Sequence, residues 1–285
     1  MRTSTRTRPG PIPGRRDAGF TLLELLVVVV IIGLLAAASM PAIRALSQTN
    51  AVAASHRQFL DDLGLARHQA ISGRRVVYLV LVPPTMRAHF NTVRGANQQF
   101  YSLASKDAAL RQLTNLVNGQ YTSYALFTRR TVGDQPGRER PRYLGEWKQL
   151  PDGMLFGTNV FTDLGASWLS VANATNLFSR PLPFGWFPFP LADSPEMRLP
   201  YIAFDSTGRM YYEGGVVPRR PGESVPLVRG SVFYEKDAEQ RYRLNVPPDV
   251  VITEQSRTNL MEVRVEWLTG RAKVFRPWEQ TTAWR

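Results

Sequence analysis

Gly19-Phe20-Thr21-Leu22-Leu23-Glu24-Leu25-Leu26-Val27-Val28-Val29-Val30-Ile31-Ile32-Gly33-Leu34-Leu35-Ala36 is the stretch on which the reading of the whole chain turns. From Leu25 to Ile43 no residue is charged, and Leu, Val, Ile and Ala dominate. As a helix this run extends roughly 28 Å, close to the hydrocarbon thickness of a bilayer. The flank before it carries Arg2, Arg6, Arg8, Arg15 and Arg16 against a single Asp17, which predicts a cytoplasmic N-terminus and a translocated remainder. Glu24 is the anomaly. A carboxylate in a membrane helix costs roughly 2.5–3.5 kcal/mol at the centre and less near the edge, so its presence points to function. A secretory signal ending at Ala36-Ala37-Ala38 and a plain membrane anchor both fit the apolar run. Neither accounts for Glu24 or for the Gly19-Phe20 junction on the cytoplasmic side.

Those residues closely resemble the prepilin cleavage and methylation motif of type IV pilins and type II secretion pseudopilins. Pro41, the twenty-second residue counted from Phe20, sits where that family often has a helix-bending proline. The resemblance implies that residues 1–19 are a leader, that a prepilin peptidase cuts between Gly19 and Phe20, and that the new amine at Phe20 is methylated. It implies partners too: other pilins or pseudopilins, the prepilin peptidase and inner-membrane lipid. The product is a structural subunit of a type II secretion pseudopilus or type IV pilus, not an enzyme, with no cofactor. An α-amino group has a reference pKa of about 7.7–8.0 and is largely protonated at neutral pH. One subunit's Glu24 can therefore pair with the cation at a neighbour's Phe20, so that each compensates the other in a low-dielectric filament core. Gly33 and Ala37, four apart, would let helices approach closely.

Beyond Pro41 the pattern stays helical and turns amphipathic. Val52, Phe59, Leu63, Ala66 and Ala70 recur at helical spacing, with Arg57, Asp61, Asp62 and Arg67 between them and Gly73 as the stop. An unbroken helix over 20–72 would be roughly 80 Å long. The expected organisation is a membrane half at 20–43, an amphipathic half at 44–72 and a periplasmic head at 73–285.

The expected fold is α+β, the long helix packing on an antiparallel sheet. Arg74 to Val82 reads as a buried strand, Lys106–Val117 as a helix, and 121–132 and Arg142–Leu150 as strands. Pro151-Asp152-Gly153 reads as a turn, Pro200–Phe204 and Met210–Glu213 as a hairpin around Asp205-Ser206-Thr207-Gly208, and Val228–Lys236 as a strand. Met261–Leu268 and Arg271–Phe275 close the chain as a hairpin, with Val263, Val265 and Trp267 inward and Glu262, Arg264 and Glu266 outward. The order of Leu63-Gly64-Leu65-Ala66-Arg67-His68-Gln69-Ala70-Ile71, a Val-rich strand, a Phe-Asp-Ser-Thr-Gly-Arg turn and a final Thr-Gly-Arg hairpin resembles the minor pseudopilin family GspH and its pilus relative FimU. A region at about 156–198 is extra to that pattern. Within it, residues 181–190 interleave Pro with aromatics, which suits either a lid folded on the sheet or an exposed contact patch.

The net charge is +12, of which the first 19 residues hold +4, leaving 30 basic and 22 acidic residues beyond them. Basic runs at Arg129-Arg130, Arg138–Arg142 and Arg219-Arg220 suit solvated loops or contacts to DNA phosphates, the latter implying a DNA-binding minor pilin. There is no Cys, and His56, His68 and His89 lack zinc-ligand spacing. His56 falls on the apolar stripe, where a hydrogen-bonded packing role is expected. The adjacent carboxylates Asp61 and Asp62 point about 100° apart on a helix, which suits solvation. Nucleophile-elbow, phosphate-loop, dinucleotide and EF-hand patterns are absent.

Overall fold

The computed structural model describes residues 22–96, 102–130, 133–135, 139–163, 181–215, 218, 220–239, 242–243, 247–254 and 261–276, with backbone alone at 40–49. Helix α1 spans Leu22–Ser72. The chain divides within it into two compact units, Met1–Ser47 and Gln48–Arg285.

The second unit is the head. Two antiparallel sheets carry it, and α1 residues beyond Gln48 supply one wall of the first core. The first sheet has the order β3 (Arg142–Tyr143), β2 (Ser123–Thr128), β1 (Val77–Leu81), β7 (Glu196–Phe204), β6 (Phe184–Pro188), with β4 (Lys148–Gln149) also on β2. The second runs β11 (Ala272–Phe275), β10 (Met261–Glu266), β8 (Gly222–Phe233), β5 (Met154–Phe156), with β9 (Asp249–Ile252) paired to β8.

Strand alternation explains why β1 and β2 read as continuous apolar runs: both of their faces are covered. Val77, Leu79 and Leu81 of β1 join Phe59, Leu63, Ala66 and Ala70 of α1, together with Val225, Leu227, Val263 and Val265 of the second sheet. Tyr78 and Val80 point the other way. They meet Ala109, Leu113 and Leu116 of helix α3 (Leu103–Val117), Val93 of helix α2 (Arg87–Gly95), and Phe187 and Phe189. Ser102 caps α3, its hydroxyl accepting from the Ser105 amide at 3.1 Å.

The helix stop differs in detail from the sequence reading. The amide of Arg75 donates to the Ala70 carbonyl (3.1 Å) and that of Arg74 to Ile71 (3.2 Å), the double bond pattern of a Schellman cap. The left-handed residue of that cap is Arg74, with φ +45°, not Gly73.

The strand expected over Arg142–Leu150 is two short ones, β3 and β4. Between them Trp147 leaves the strand line, its indole N–H donating to the Pro190 carbonyl at 3.1 Å and its ring packing on Tyr143 and Phe189. The expected Pro200–Glu213 hairpin keeps its first arm in β7. Its second shrinks to a bridge between Met210 and Phe204, with Glu213 in a 3-10 turn.

The closing hairpin forms with shorter arms and a longer loop than the expected two-residue Thr269-Gly270 turn: β10 ends at Glu266 and β11 starts at Ala272, with Val263 opposite Val274 and Val265 opposite Ala272. Glu262 is a correction. It was expected in solvent, yet it is fully buried, accepting hydrogen bonds from Ser224 and from Arg264 Nε.

The Pro/aromatic segment is folded in. Phe184–Pro188 pairs with β7 from Pro200 to Glu196, and Phe187 and Phe189 are fully buried. Three side chains fix its carbonyls: Tyr143 donates to Pro188 (2.6 Å), Trp147 to Pro190, and His89 Nε2 to Phe189 (2.5 Å). Trp186 is left outward and exposed.

Candidate assembly site

The first described turn of α1 contains Glu24. Residues 22–39 form a span long and apolar enough to cross a membrane, with mean hydropathy 2.7, and none of it is buried. Leu, Val and Ile side chains from Leu22 to Leu35 are all open, from 44 to 86%. An amphipathic helix would show one covered stripe; this one is apolar, and among the described residues it is open on every side. Ser39 is the polar exception, and its hydroxyl donates to the Leu35 carbonyl at 2.8 Å, so that hydroxyl is satisfied within the helix.

Glu24 is exposed at the helix N-terminus, where the unpaired amides of the first turn favour negative charge. Pro41 lies inside α1, whose backbone stays helical through it. A proline has no N–H, so the carbonyl four residues earlier, at Ala37, loses its usual donor. Gly19 and Phe20 lie outside the described residues.

In the head, α1 is tied down by polar contacts that helical periodicity does not show. Asp62 is buried, against the expectation of a solvated pair with Asp61, which is exposed. It accepts from the Tyr124 hydroxyl (2.7 Å) and Lys148 Nζ (2.5 Å). Gln58 adds bonds to the Tyr124 oxygen (3.0 Å) and the Gln149 carbonyl (2.9 Å). Burial pushes the Tyr124 phenol up, and its bond to Asp62 pushes it further. The hydroxyl therefore stays a donor.

Arg67 is the second tie. Its Nε–H is shared between the carbonyls of Gly208 (3.2 Å) and Thr269 (2.8 Å). It thus joins the Phe-Asp-Ser-Thr-Gly-Arg turn to the Thr-Gly-Arg hairpin. Asp205 shapes the first turn, its Oδ1 accepting from the Thr207 and Arg209 amides. Gly208 and Gly270 adopt φ of +80° and +63°. A Cβ on Gly270 would lie 2.1 Å from the Gly208 oxygen, so only glycine fits that contact.

The basic runs divide. Arg129 is half-buried, paired to Glu213 at 2.8 Å and set over the Phe187 ring at 5.3 Å, and so is a packing residue. Arg140 and Arg142 are exposed. Arg220 lies over the Trp267 ring at 4.6 Å. Arg138 and Arg219 fall outside the described residues.

Of the histidines, His68 is exposed on α1, while His56 on α1 and His89 on α2 are buried. His56 Nδ1 donates to the Val52 carbonyl at 2.8 Å, the packing role expected of it. Burial lowers the pKa of both His56 and His89.

Comparison with known families adds one match. The family model described as the prokaryotic N-terminal methylation motif matches residues 14–40. It covers the Gly19-Phe20 junction, Glu24 and the exposed apolar span together, and it supports a pilin- or pseudopilin-type protein, a structural class rather than a catalytic one. The apolar helix followed by an antiparallel β head is an α+β architecture that fits the type IV pilin-like fold. No curated protein and no solved structure matches the chain.

Proposed function

We propose that the chain is a minor pilin or pseudopilin, a structural subunit of a type II secretion pseudopilus or type IV pilus. Prepilin peptidase cuts it between Gly19 and Phe20 and methylates the Phe20 amine. The apolar half of α1 is held first by inner-membrane lipid and then by sister helices, with the leader side cytoplasmic and the head periplasmic. Glu24 pairs with the Phe20 amine of a neighbouring subunit, and Pro41 adjusts the helix for stacking.

The observation that carries this reading is one coincidence. The methylation motif at 14–40 falls on a helix open on all sides with a carboxylate in its first turn. Removing a carboxylate from that setting leaves a neighbour's amine without its counter-charge.

The placement among minor, initiation-type subunits related to GspH and FimU draws its support from Arg67. Three of the four stretches that carry that resemblance meet at this one side chain. The test is Glu24→Ala. The variant is expected to be cleaved and to accumulate in the inner membrane at normal level while disappearing from sheared filament fractions. Filament incorporation equal to the unaltered protein would defeat the pairing.

A further inference from the structure

A cavity of about 790 Å³ opens in the head at the C-terminal end of α1. Small-molecule clefts span roughly 300–1,000 Å³, so this one has room for more than a bare ion. Four guanidinium groups line it: Arg74 and Arg75 from the link between α1 and β1, and Arg129 and Arg130 from the end of β2. They are not equivalent. Arg129 is already matched by Glu213 at 2.8 Å and by Glu196 at 3.7 Å. Asp134, on the same wall, is likewise engaged. Among the described residues, the side chains of Arg74, Arg75 and Arg130 have neither an ion pair nor a hydrogen bond. The carboxylate left to oppose them is Glu139, which is exposed. Three guanidinium groups thus face one carboxylate, and a concave wall focuses the excess positive potential.

Arg75 is fixed where it stands. Its side chain folds back over Gly73, where a Cβ would lie 2.9 Å from Arg75 Nε, and that nitrogen is sealed without a hydrogen-bond partner. The sealed Nε is closed to a ligand as well. The terminal nitrogens are not sealed, and they are the open end of a half-buried side chain on the cavity wall. Packing has therefore already met part of the cost of ordering this guanidinium before any ligand arrives. Arg74 is exposed and keeps a left-handed φ of +45°, a conformation that glycine would adopt without strain. Backbone strain of this kind gathers at ligand sites.

We infer that this cavity binds a multivalent oxyanion, a small molecule with two or more adjacent phosphate or carboxylate charges, through Arg74, Arg75 and Arg130. Guanidinium groups take such oxyanions by pairs of N–H bonds, and two negative charges balance the excess on the wall. Tyr211, half-buried on the same wall, adds an aromatic surface for the body of the ligand. A metal cation is repelled by the same excess. The site shares no residue with the N-terminal motif, so it stands whether or not the chain assembles through Glu24.

The test is isothermal titration calorimetry on the full chain in non-ionic detergent micelles, with sodium pyrophosphate and with trisodium citrate, against sodium chloride of equal ionic strength. Saturable one-to-one binding is expected. Pyrophosphate alone marks a phosphate ligand, citrate alone a carboxylate ligand, and both mark any multivalent oxyanion. Arg75→Gln and Arg130→Gln are each expected to weaken binding about tenfold. Arg74→Gly should weaken it as well without lowering the urea midpoint of the head, which separates lost contact from lost fold. Glu139→Gln should tighten binding by about threefold, because it removes the opposing charge. Arg111→Gln, exposed on α3, should leave it unchanged. No saturable heat from either anion beyond chloride, losses from Arg111→Gln equal to those from Arg75→Gln, or weaker binding in Glu139→Gln overturns the proposal. So does a short DNA duplex that binds when neither small anion does, since that places the affinity on an open basic surface.

Discussion

Helix α1 contains two regions built from the same backbone and opposite surroundings. Between Leu22 and Ser39 no described residue buries a side chain. Between Ser55 and Ala70 the helix buries Ser55, His56, Phe59, Asp62, Leu63, Ala66 and Ala70, one stripe at the helical repeat. The second region is stable because its own head covers it. The first leaves its apolar surface open among the described residues, the surface that the proposed assembly would bury. Sequence composition alone would call both regions helical; the distribution of cover separates anchor and assembly from folding.

That contrast can be broken by mutation. Phe59 sits edge-on to Tyr124 and Phe156, with ring centroids 5.5 and 5.2 Å away. Phe59→Ala should cost the head about 3–5 kcal/mol in a urea melt. Val29→Ala should move the same transition by no more than about 0.5 kcal/mol. Equal losses from the two would mean that the apolar region is covered by its own chain after all.

A smaller effect is expected at the polar tie. Asp62→Ala leaves the Tyr124 hydroxyl without its acceptor and Lys148 without its partner, which should cost about 1.5–3 kcal/mol. Asp62→Asn, which keeps an acceptor for Tyr124, should recover part of that loss. A double-mutant cycle with Tyr124→Phe checks that the loss runs through this bond.

pH sharpens the contrast further, because the two buried histidines belong to the head. Unfolded histidine has a pKa of about 6.5, and burial lowers it in both His56 and His89. Between the folded and unfolded values the unfolded chain binds more protons. The head should therefore lose stability as pH falls below about 6.5 and hold it above, read as a falling thermal midpoint. Replacing His89 with Gln should flatten part of that slope.

The smallest effect concerns the cap. Arg74 occupies a left-handed conformation that costs most side chains about 1 kcal/mol. Arg74→Gly should relieve it and raise the urea midpoint slightly.

Much of this architecture was legible because its signals are local. The Phe59-Leu63-Ala66-Ala70 stripe, the Val-rich β1 and the Thr-Gly turn of the last hairpin each announce themselves within a few residues. What stayed hidden depends on distant partners. Asp62 looks like half of a solvated pair until Tyr124 and Lys148, 62 and 86 residues on, close over it. Glu262 looks outward-facing until Ser224 of the neighbouring strand meets it. Helix α2 gave no warning, since Met86 offers no side-chain cap and only His89 and Val93 are buried. Strand β6 was masked by its prolines, which an edge position tolerates. At the N-terminus the reverse holds: the motif is written entirely in consecutive residues, so the sequence carries more of that site than the fold does.

The account's central claim is tested most directly by the mass of the mature N-terminus. Protein purified from membranes and digested should yield a terminal peptide that begins at Phe20 and carries one methyl group on its amine. A peptide that still begins in the arginine-rich leader, or one that begins after Ala38 with the apolar span gone, would contradict it.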